Sequence, residues 1–113
     1  MTETIKFSDW QKLDLRIGKI LQVEDIPNAD KLYKLSVDLG KELGLRTICA
    51  GIKEYVSGED IQGKKSVFLV NLEPRLLKGI ESQGMIMAAG SKESNKFVLL
   101  EPSNDIEVGT KVS

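Results

Sequence analysis

Apolar and polar residues alternate along several short runs of the chain, which is the pattern of half-buried β-strands. The clearest run is Leu32–Leu39, in which Tyr33, Leu35, Val37 and Leu39 share one face. Gly, Pro, Asn and Asp residues lie between the runs and indicate turns. The pattern predicts strands over 15–23, 32–39, 45–50, 65–72, 82–89 and 97–100, with 106–112 as a further terminal strand.

Helical patterns are scarce by comparison. A short helix is predicted to begin within Phe7–Trp10, capped by Ser8 or Asp9, and 52–56 is predicted to be a short helical or irregular stretch. The segment 40–44 is predicted to be a hairpin connection. Gly18 lies inside the first strand and predicts a bulge or a sharp bend there.

Short strands at regular spacing with few helices favour a closed all-β fold. The strand number predicts a five-stranded OB-fold Greek-key barrel with short helices and a C-terminal extension. The 113 residues fit a single domain. We expect a flexible N-terminus over residues 1–7 and one folded domain over residues 8–113.

Composition narrows the class of function. The chain contains no histidine, which excludes histidine-dependent triads and imidazole metal sites. Its one cysteine, Cys49, cannot form an internal disulfide or a multi-cysteine metal site. No phosphate-binding P-loop pattern is present. We therefore expect no catalytic residue, no enzymatic activity, no cofactor and no metal.

The distribution of charge is more informative than the net charge of −1. A pI near 5.5 argues against a protein that binds DNA through its bulk charge. Residues 31–78 carry nine basic and six acidic side chains, whereas the segments on either side are net acidic. This is either ordinary variation on a solvated surface or a local basic face. Any nucleic-acid site must be small.

The cellular location is also constrained by the sequence. A single cysteine fits a reducing compartment, and the charged first 20 residues hold no apolar block of signal-peptide length. No apolar run approaches the length of a membrane span. We expect a cytoplasmic protein with no membrane association.

Two ordered groups of residues carry a specific resemblance. The first is Asp14-x-Arg16-x-Gly18, then Pro27-x-Ala29-Asp30-Lys31-Leu32-Tyr33 and Val37-Asp38-Leu39-Gly40. The second is Asn71-Leu72-Glu73-Pro74-Arg75-x-Leu77-x-Gly79-x-x-Ser82-x-Gly84-Met85. Their order and spacing over residues 8–112 resemble the tRNA-binding domain found in many methionyl-tRNA synthetases, as a separate β subunit of some of them, and as free-standing proteins.

The chain departs from the pattern of that family at two places beside these motifs. Ile26 precedes Pro27 where the family commonly has histidine, and Glu73 precedes Pro74 where it commonly has lysine. The replacement at 73 removes a positive charge, so it bears on affinity more than on the fold.

The resemblance implies an RNA-binding site centred on residues 71–85. The candidate RNA-binding residues are Lys31, Arg46, Asn71, Arg75, Lys78, Ser82 and Met85. Arg75 and Lys78 place two cations within four residues, where they could reach successive phosphates or a 2′-hydroxyl edge. Asn71 and Ser82 offer hydrogen-bonding groups, and Met85 offers an adaptable apolar contact.

Each candidate also has an ordinary structural interpretation. On residue chemistry alone, 71–85 is more commonly a glycine-containing bend with exposed charges and a buried Met85; the resemblance favours the site. Lys31 follows a proline turn and suits either a phosphate contact or turn chemistry. Arg46 lies on a predicted strand and by default forms a surface ion pair.

The resemblance therefore implies a non-catalytic protein that binds tRNA by shape and backbone. Aromatic residues make up 5% of the chain, which argues against a row of base-stacking side chains. The family also implies a homodimer, or a β subunit partnered with a methionyl-tRNA synthetase catalytic chain. The alternative is a protein-interaction or chaperone-like OB-fold module that binds polypeptides.

Overall fold

A computed structural model describes residues 2–113. Its helices are each four residues long: α1 (Phe7–Trp10), α2 (Gly40–Leu43) and α3 (Gly58–Ile61). The strands are β1 (Leu15–Ile26), β2 (Ala29–Asp38), β3 (Leu45–Ala50), β4 (Lys65–Leu69), β5 (Arg75–Leu77), β6 (Ile80–Ser82), β7 (Met85–Ile86), β8 (Ala88–Ser91), β9 (Lys96–Leu99) and β10 (Lys111–Val112). The expected flexible N-terminus includes Met1, which lies outside the described residues.

One antiparallel sheet dominates the fold. Its strand order is β3-β2-β1-β4-β7, and β10 adds to β1. Because β1 lies between β2 and β4 while β3 lies at an edge, the connection is of the Greek-key kind. Two small hairpins, β5–β6 and β8–β9, form separate two-stranded sheets. The prediction of an all-β, OB-like fold is confirmed.

The sheet is open between its edge strands β3 and β7, which share no ladder. Gln83, just before β7, spans this gap. Its backbone N–H donates to the Thr47 carbonyl over 2.9 Å, and the Thr47 N–H donates to its side-chain oxygen over 3.2 Å. A side chain thus supplies part of the closure that a continuous barrel would obtain from paired backbones.

The core lies on the inward face of the sheet. Tyr33, Leu35, Val37 and Leu39 are all buried, which confirms the alternation predicted for this strand. Phe68, which lies in β4 on the other side of β1, has no exposed surface. The Tyr33 hydroxyl donates to the Val56 carbonyl, so this ring belongs to the core and is closed to a nucleobase.

Gly18 does not form the predicted bulge. It pairs in register with Ser66, and the irregularities of β1 lie farther along, after Ile20 and after Asp25. A Cβ atom at Gly18 would lie 2.7 Å from Leu39 and 2.9 Å from the Phe68 ring. The glycine is therefore required by close packing of the core across β1.

Two predicted strands are shorter than the hydrophobic pattern indicates. The strand predicted over 65–72 ends at Leu69, which pairs with Leu15 at the start of β1, and the carbonyl of the next residue, Val70, accepts from the Arg46 side chain. The strand predicted over 82–89 is divided among β6, β7 and β8. Gly84 adopts a φ of 150° and turns the chain between β6 and β7.

The first short helix lies where it is predicted, and its cap differs from the prediction. Helix α1 begins at Phe7 with Lys6 at its N-cap and no side-chain cap, so Ser8 and Asp9 lie inside the first turn. The connection at 40–44 contains α2, and the stretch at 52–56 forms turns. Pro27 and Asn28 alone make the turn between β1 and β2, so both strands extend to it.

Replacing Gly18 by alanine is expected to lower the free energy of unfolding by about 1–3 kcal/mol, because the added methyl overpacks the core. Urea unfolding measures the change. Gly51→Ala is the control, since its nearest neighbour, Leu32, lies 3.9 Å from the added carbon. Equal stability of the two variants would contradict this account of Gly18.

Candidate nucleic-acid interface

Within the segment 71–85, for which residue chemistry alone suggests a glycine-containing bend, residues 75–82 form a β-hairpin. Arg75 pairs with Ser82 and Leu77 with Ile80 across β5–β6. The two turn residues, Lys78 and Gly79, have φ values of 51° and 82°. Positive φ at both central residues is what a tight type I′ hairpin turn requires. The hairpin therefore holds the exposed Arg75 and Lys78 side chains on an ordered frame.

The base of this hairpin is fixed by Ser82. This residue is 4% exposed. Its hydroxyl accepts from the Cys49 backbone N–H over 2.9 Å and donates to the Gly84 carbonyl over 3.2 Å. Both hydrogen-bonding functions of the hydroxyl are used inside the protein, so Ser82 joins the hairpin to β3.

Asn71 is exposed, yet its amide is also engaged within the protein. The side-chain oxygen accepts from the Asp14 N–H over 2.9 Å, and the side-chain nitrogen donates to the Lys12 carbonyl over 2.6 Å. This pair of bonds ties the exit of β4 to the segment that precedes β1.

Arg46 bonds to backbone carbonyls, not to an acidic side chain. Its Nη1 donates to the Val70 carbonyl over 2.6 Å and to the Gln83 carbonyl over 3.3 Å. These carbonyls lie at the two ends of the segment 70–83. One guanidinium therefore closes the base of the loop that carries the hairpin.

A small apolar cluster packs against the β5–β6 hairpin. Ile26, Ala29 and Cys49 are its buried members, and Leu77 and Ile80 of the hairpin pack against it. Ile26, one of the two departures from the family pattern, is thus an apolar support for the hairpin. The other, Glu73, is exposed at the hairpin entrance.

A groove of about 530 Å³ runs between the hairpin and the sheet. We call it the hairpin groove. Its walls are mostly apolar, and Arg75 contributes a charge; the main lining residues are Leu32, Cys49, Ile52, Arg75, Leu77, Met85 and Phe97. Met85 is 42% exposed, so it is not the buried residue of the purely structural interpretation.

Lys31 lies within β2, three residues after the turn, and is exposed. It immediately precedes Leu32, which lines the hairpin groove. Among the described residues, no acidic side chain forms an ion pair with Lys31, Arg75 or Lys78. These three cations are open to an anionic ligand.

The seven sequence candidates therefore divide into two groups. Lys31, Arg75, Lys78 and Met85 are exposed around the hairpin and its groove. The other three have polar groups bonded within the protein: Arg46, Asn71 and Ser82. The first group can touch a ligand, and the second group positions the segment that presents it.

The surroundings raise the pKa of two further groups, the Arg16 guanidinium and the Cys49 thiol. The hydrogen bond to Asp14 raises the pKa of Arg16, whose Nε lies 2.6 Å from the carboxylate oxygen. Burial raises the pKa of the Cys49 thiol, which disfavours the reactive thiolate. The described residues contain no cluster of three His, Cys, Asp or Glu side chains placed to hold a metal.

Comparison with known families places this chain. A family model described as "Putative tRNA binding domain" matches residues 15–111, from β1 into β10. The chain belongs to this tRNA-binding domain family. The match includes the whole of the β5–β6 hairpin and the residues that line its groove.

Named relatives and solved structures agree with this assignment. The methionine–tRNA ligase of Pyrococcus horikoshii is 50% identical over 110 residues, which are 97% of this chain and 15% of the ligase. This tRNA-binding domain thus spans about 15% of the length of such relatives.

No helix among the described residues is long and apolar enough to cross a membrane.

Two structures resemble the whole domain. A MetRS-related protein from Pyrococcus horikoshii gives a TM-score of 0.90 at 34% identity and covers 99% of this chain and 100% of its own. The chaperone CsaA from Bacillus anthracis gives 0.84 at 33% identity and covers 98% and 100%.

Sequence reasoning missed two residues around the site. Gln83 bridges β3 and β7, but a glutamine that substitutes for a strand ladder has no signature in the sequence. Tyr55 is exposed and stacks on Phe97. The low aromatic content of the chain argues against stacking side chains, and Tyr55 follows four turn residues, 51–54, so no periodic pattern marks it.

Replacing Ser82 by alanine is expected to lower the free energy of unfolding by about 1–3 kcal/mol, because the Cys49 N–H is left buried without a partner. Chemical denaturation measures the loss. Ser103→Ala removes a hydroxyl from an exposed residue and should be nearly neutral. A Ser82 variant as stable as the Ser103 variant would refute the anchoring role.

Proposed function

We propose that this domain binds tRNA without catalysing a reaction, using the β5–β6 hairpin and the hairpin groove. The observation that carries the proposal is the pair of exposed cations, Arg75 and Lys78, which have no ion-pair partner among residues 2–113 and lie on a hairpin anchored at its base. Membership of the tRNA-binding domain family supports it. Recognition is by shape and backbone, because the exposed polar chemistry suits phosphate and sugar more than base edges.

The hairpin suits phosphate recognition for physical reasons. A planar guanidinium at Arg75 binds phosphate through two parallel hydrogen bonds, and Lys78 adds a flexible point charge at the turn. Lys31 adds a third cation beside the groove. Because the hairpin is already ordered, little conformational entropy is lost when it binds.

Arg46, Asn71 and Ser82 then act as positioning residues. Their bonds to the backbone hold the loop that presents the cations. Substituting them would weaken binding indirectly, through loss of order in the hairpin. This separates them from Arg75, whose loss removes a contact with the ligand.

We further propose that the domain supplies a second tRNA contact to a methionyl-tRNA synthetase catalytic chain, as an attached module or a separate β subunit. The similarity of nearly the whole chain to about 15% of a methionine–tRNA ligase supports this. A second contact raises the local concentration of tRNA at the partner without new chemistry. A cytoplasmic location accords with a tRNA ligand.

We also propose that two copies of this domain form a homodimer. The C-terminal segment leaves Val98, Leu100 and Ile106 exposed, and these apolar side chains could be covered by a second copy. Two copies would present two hairpins to one folded RNA.

Equilibrium sedimentation at micromolar concentration tests the dimer and is expected to give twice the 12.5 kDa chain mass. Val98→Asp with Ile106→Asp should shift the mass toward one chain, because buried charge would oppose the interface. Lys41→Asp, on α2, is the control. A wild-type monomer would refute the dimer.

Polypeptide binding is the second candidate function. The apolar lining of the hairpin groove would accept an unfolded peptide, and the similarity to a protein named as a chaperone favours it. The exposed cations favour tRNA instead, since a neutral peptide gives them no partner.

Arg75→Ala with Lys78→Ala is expected to weaken tRNA binding by about 1–3 kcal/mol. The slope of log affinity against log salt should become shallower by about 1.5, because two phosphate contacts are lost. Filter binding over a salt series measures both quantities.

Lys6→Ala with Lys41→Ala is the matched control, since it removes the same charge from exposed residues elsewhere. Equal losses of tRNA affinity in the two double variants would show that the site does not lie on the hairpin. Displacement of bound tRNA by an unfolded polypeptide, with no effect of Arg75 and Lys78, would favour the chaperone-like alternative.

A further inference from the structure

A pair of stacked aromatic rings, of which Tyr55 is exposed and Phe97 is half-buried, lies beside the hairpin groove. The ring centroids of Tyr55 and Phe97 are 4.6 Å apart, and the ring planes differ by 16°. Tyr55 is nevertheless 61% exposed. A ring that is covered on one face and exposed to this extent leaves its other face open to a further ring.

Both rings are held by ordered segments. Phe97 lies in β9 and packs against the main core. The Tyr55 backbone N–H donates to the Ile52 carbonyl over 2.9 Å, and Ile52 is itself buried. Opposite Phe97 in the β8–β9 hairpin stands Gly90, where a Cβ atom would lie 3.3 Å from the ring. The stacked pair therefore exists before any ligand arrives.

Two cations share the cavity with this pair. The cavity has a volume of about 460 Å³, and its lining includes Tyr55, Lys92, Asn95 and Lys96. Among the described residues, neither Lys92 nor Lys96 forms an ion pair. Glu54 also lines the cavity, so the lining carries a net positive charge.

The stacked pair is continuous with the proposed tRNA site. Phe97 lines both this cavity and the hairpin groove, which has Arg75 on another wall. A ligand that extends from the groove into the cavity therefore meets cations of both linings and the Phe97 ring that the two linings share.

We infer that Tyr55 is a stacking platform for an unpaired nucleobase of the bound tRNA, with Lys92 and Lys96 contacting phosphates that flank it. Every nucleobase has a π-face, so an exposed aromatic ring binds it without sequence preference. Lysines beside the ring suit the polyanionic chain that carries the base. This inference rests on the proposed tRNA binding and names an additional contact within it.

Tyr55→Leu tests the inference, because it keeps an apolar side chain and removes the ring. Affinity for tRNA should fall about 5- to 150-fold, the range expected for loss of one stacked base. Affinity for a blunt-ended RNA duplex of tRNA length should stay unchanged, since its bases are paired and stacked. Tyr55→Phe should bind tRNA like the wild type.

Leu45→Ala is the matched control: Leu45 is an exposed apolar residue, 68% accessible, at the start of β3. Wild-type affinity for tRNA in Tyr55→Leu, or an equal loss for tRNA and duplex, would overturn the inference. Failure of the wild-type chain to bind any tRNA would instead overturn the proposed function itself.

Circular dichroism and thermal melting confirm that each variant folds. If Tyr55→Leu unfolds, Lys92→Ala with Lys96→Ala decides, since both lysines are exposed. This double variant should lose about tenfold in tRNA affinity and show a shallower salt slope. Unchanged affinity and slope in it would overturn the inference.

Discussion

The seam between β3 and the segment 82–84 is the contact on which the rest of this structure depends. The backbone N–H of Cys49 donates to Ser82, and Thr47 exchanges two hydrogen bonds with Gln83. Together these bonds cover the gap between β3 and β7, which a strand ladder would otherwise close. They also fix the base of the β5–β6 hairpin, so the closure of the fold and the presentation of the site have one physical cause.

This shared cause explains why polar residues of one motif take different roles. A hydrogen-bonding group that is already satisfied inside the protein gains little from a new partner. The Ser82 hydroxyl, the Asn71 amide and one nitrogen of Arg46 are bonded to backbone groups in this way. Arg75 and Lys78 lie on the same segment without ion-pair partners among the described residues. Arg75 and Lys78 can thus meet an anionic ligand, although the chain has a net charge of −1 and the segment 71–85 also carries Glu73 and Glu81.

The aromatic residues show how composition can mislead about a site. Six aromatic side chains are few for a single-strand binder. Tyr33 is in the core, as the alternating pattern of 32–39 predicts, and Phe68 is in the core too. Tyr55 is different, because long-range folding brings β9 beside the turn at 51–55 and stacks Phe97 on it. Counting residues by type cannot separate a ring in the core from a ring held at the surface.

The sequence by itself determined the all-β class, the alternating core of β2, the family motifs and the segment 71–85 as the candidate site. These follow from local periodicity and from residue order, which a linear chain displays directly. Only the tertiary structure decided that Gly18 serves core packing, that 75–82 is a hairpin and that Ser82 is an anchor. Each of these depends on atoms from distant segments meeting at a few ångströms, and spacing along the chain does not contain that information.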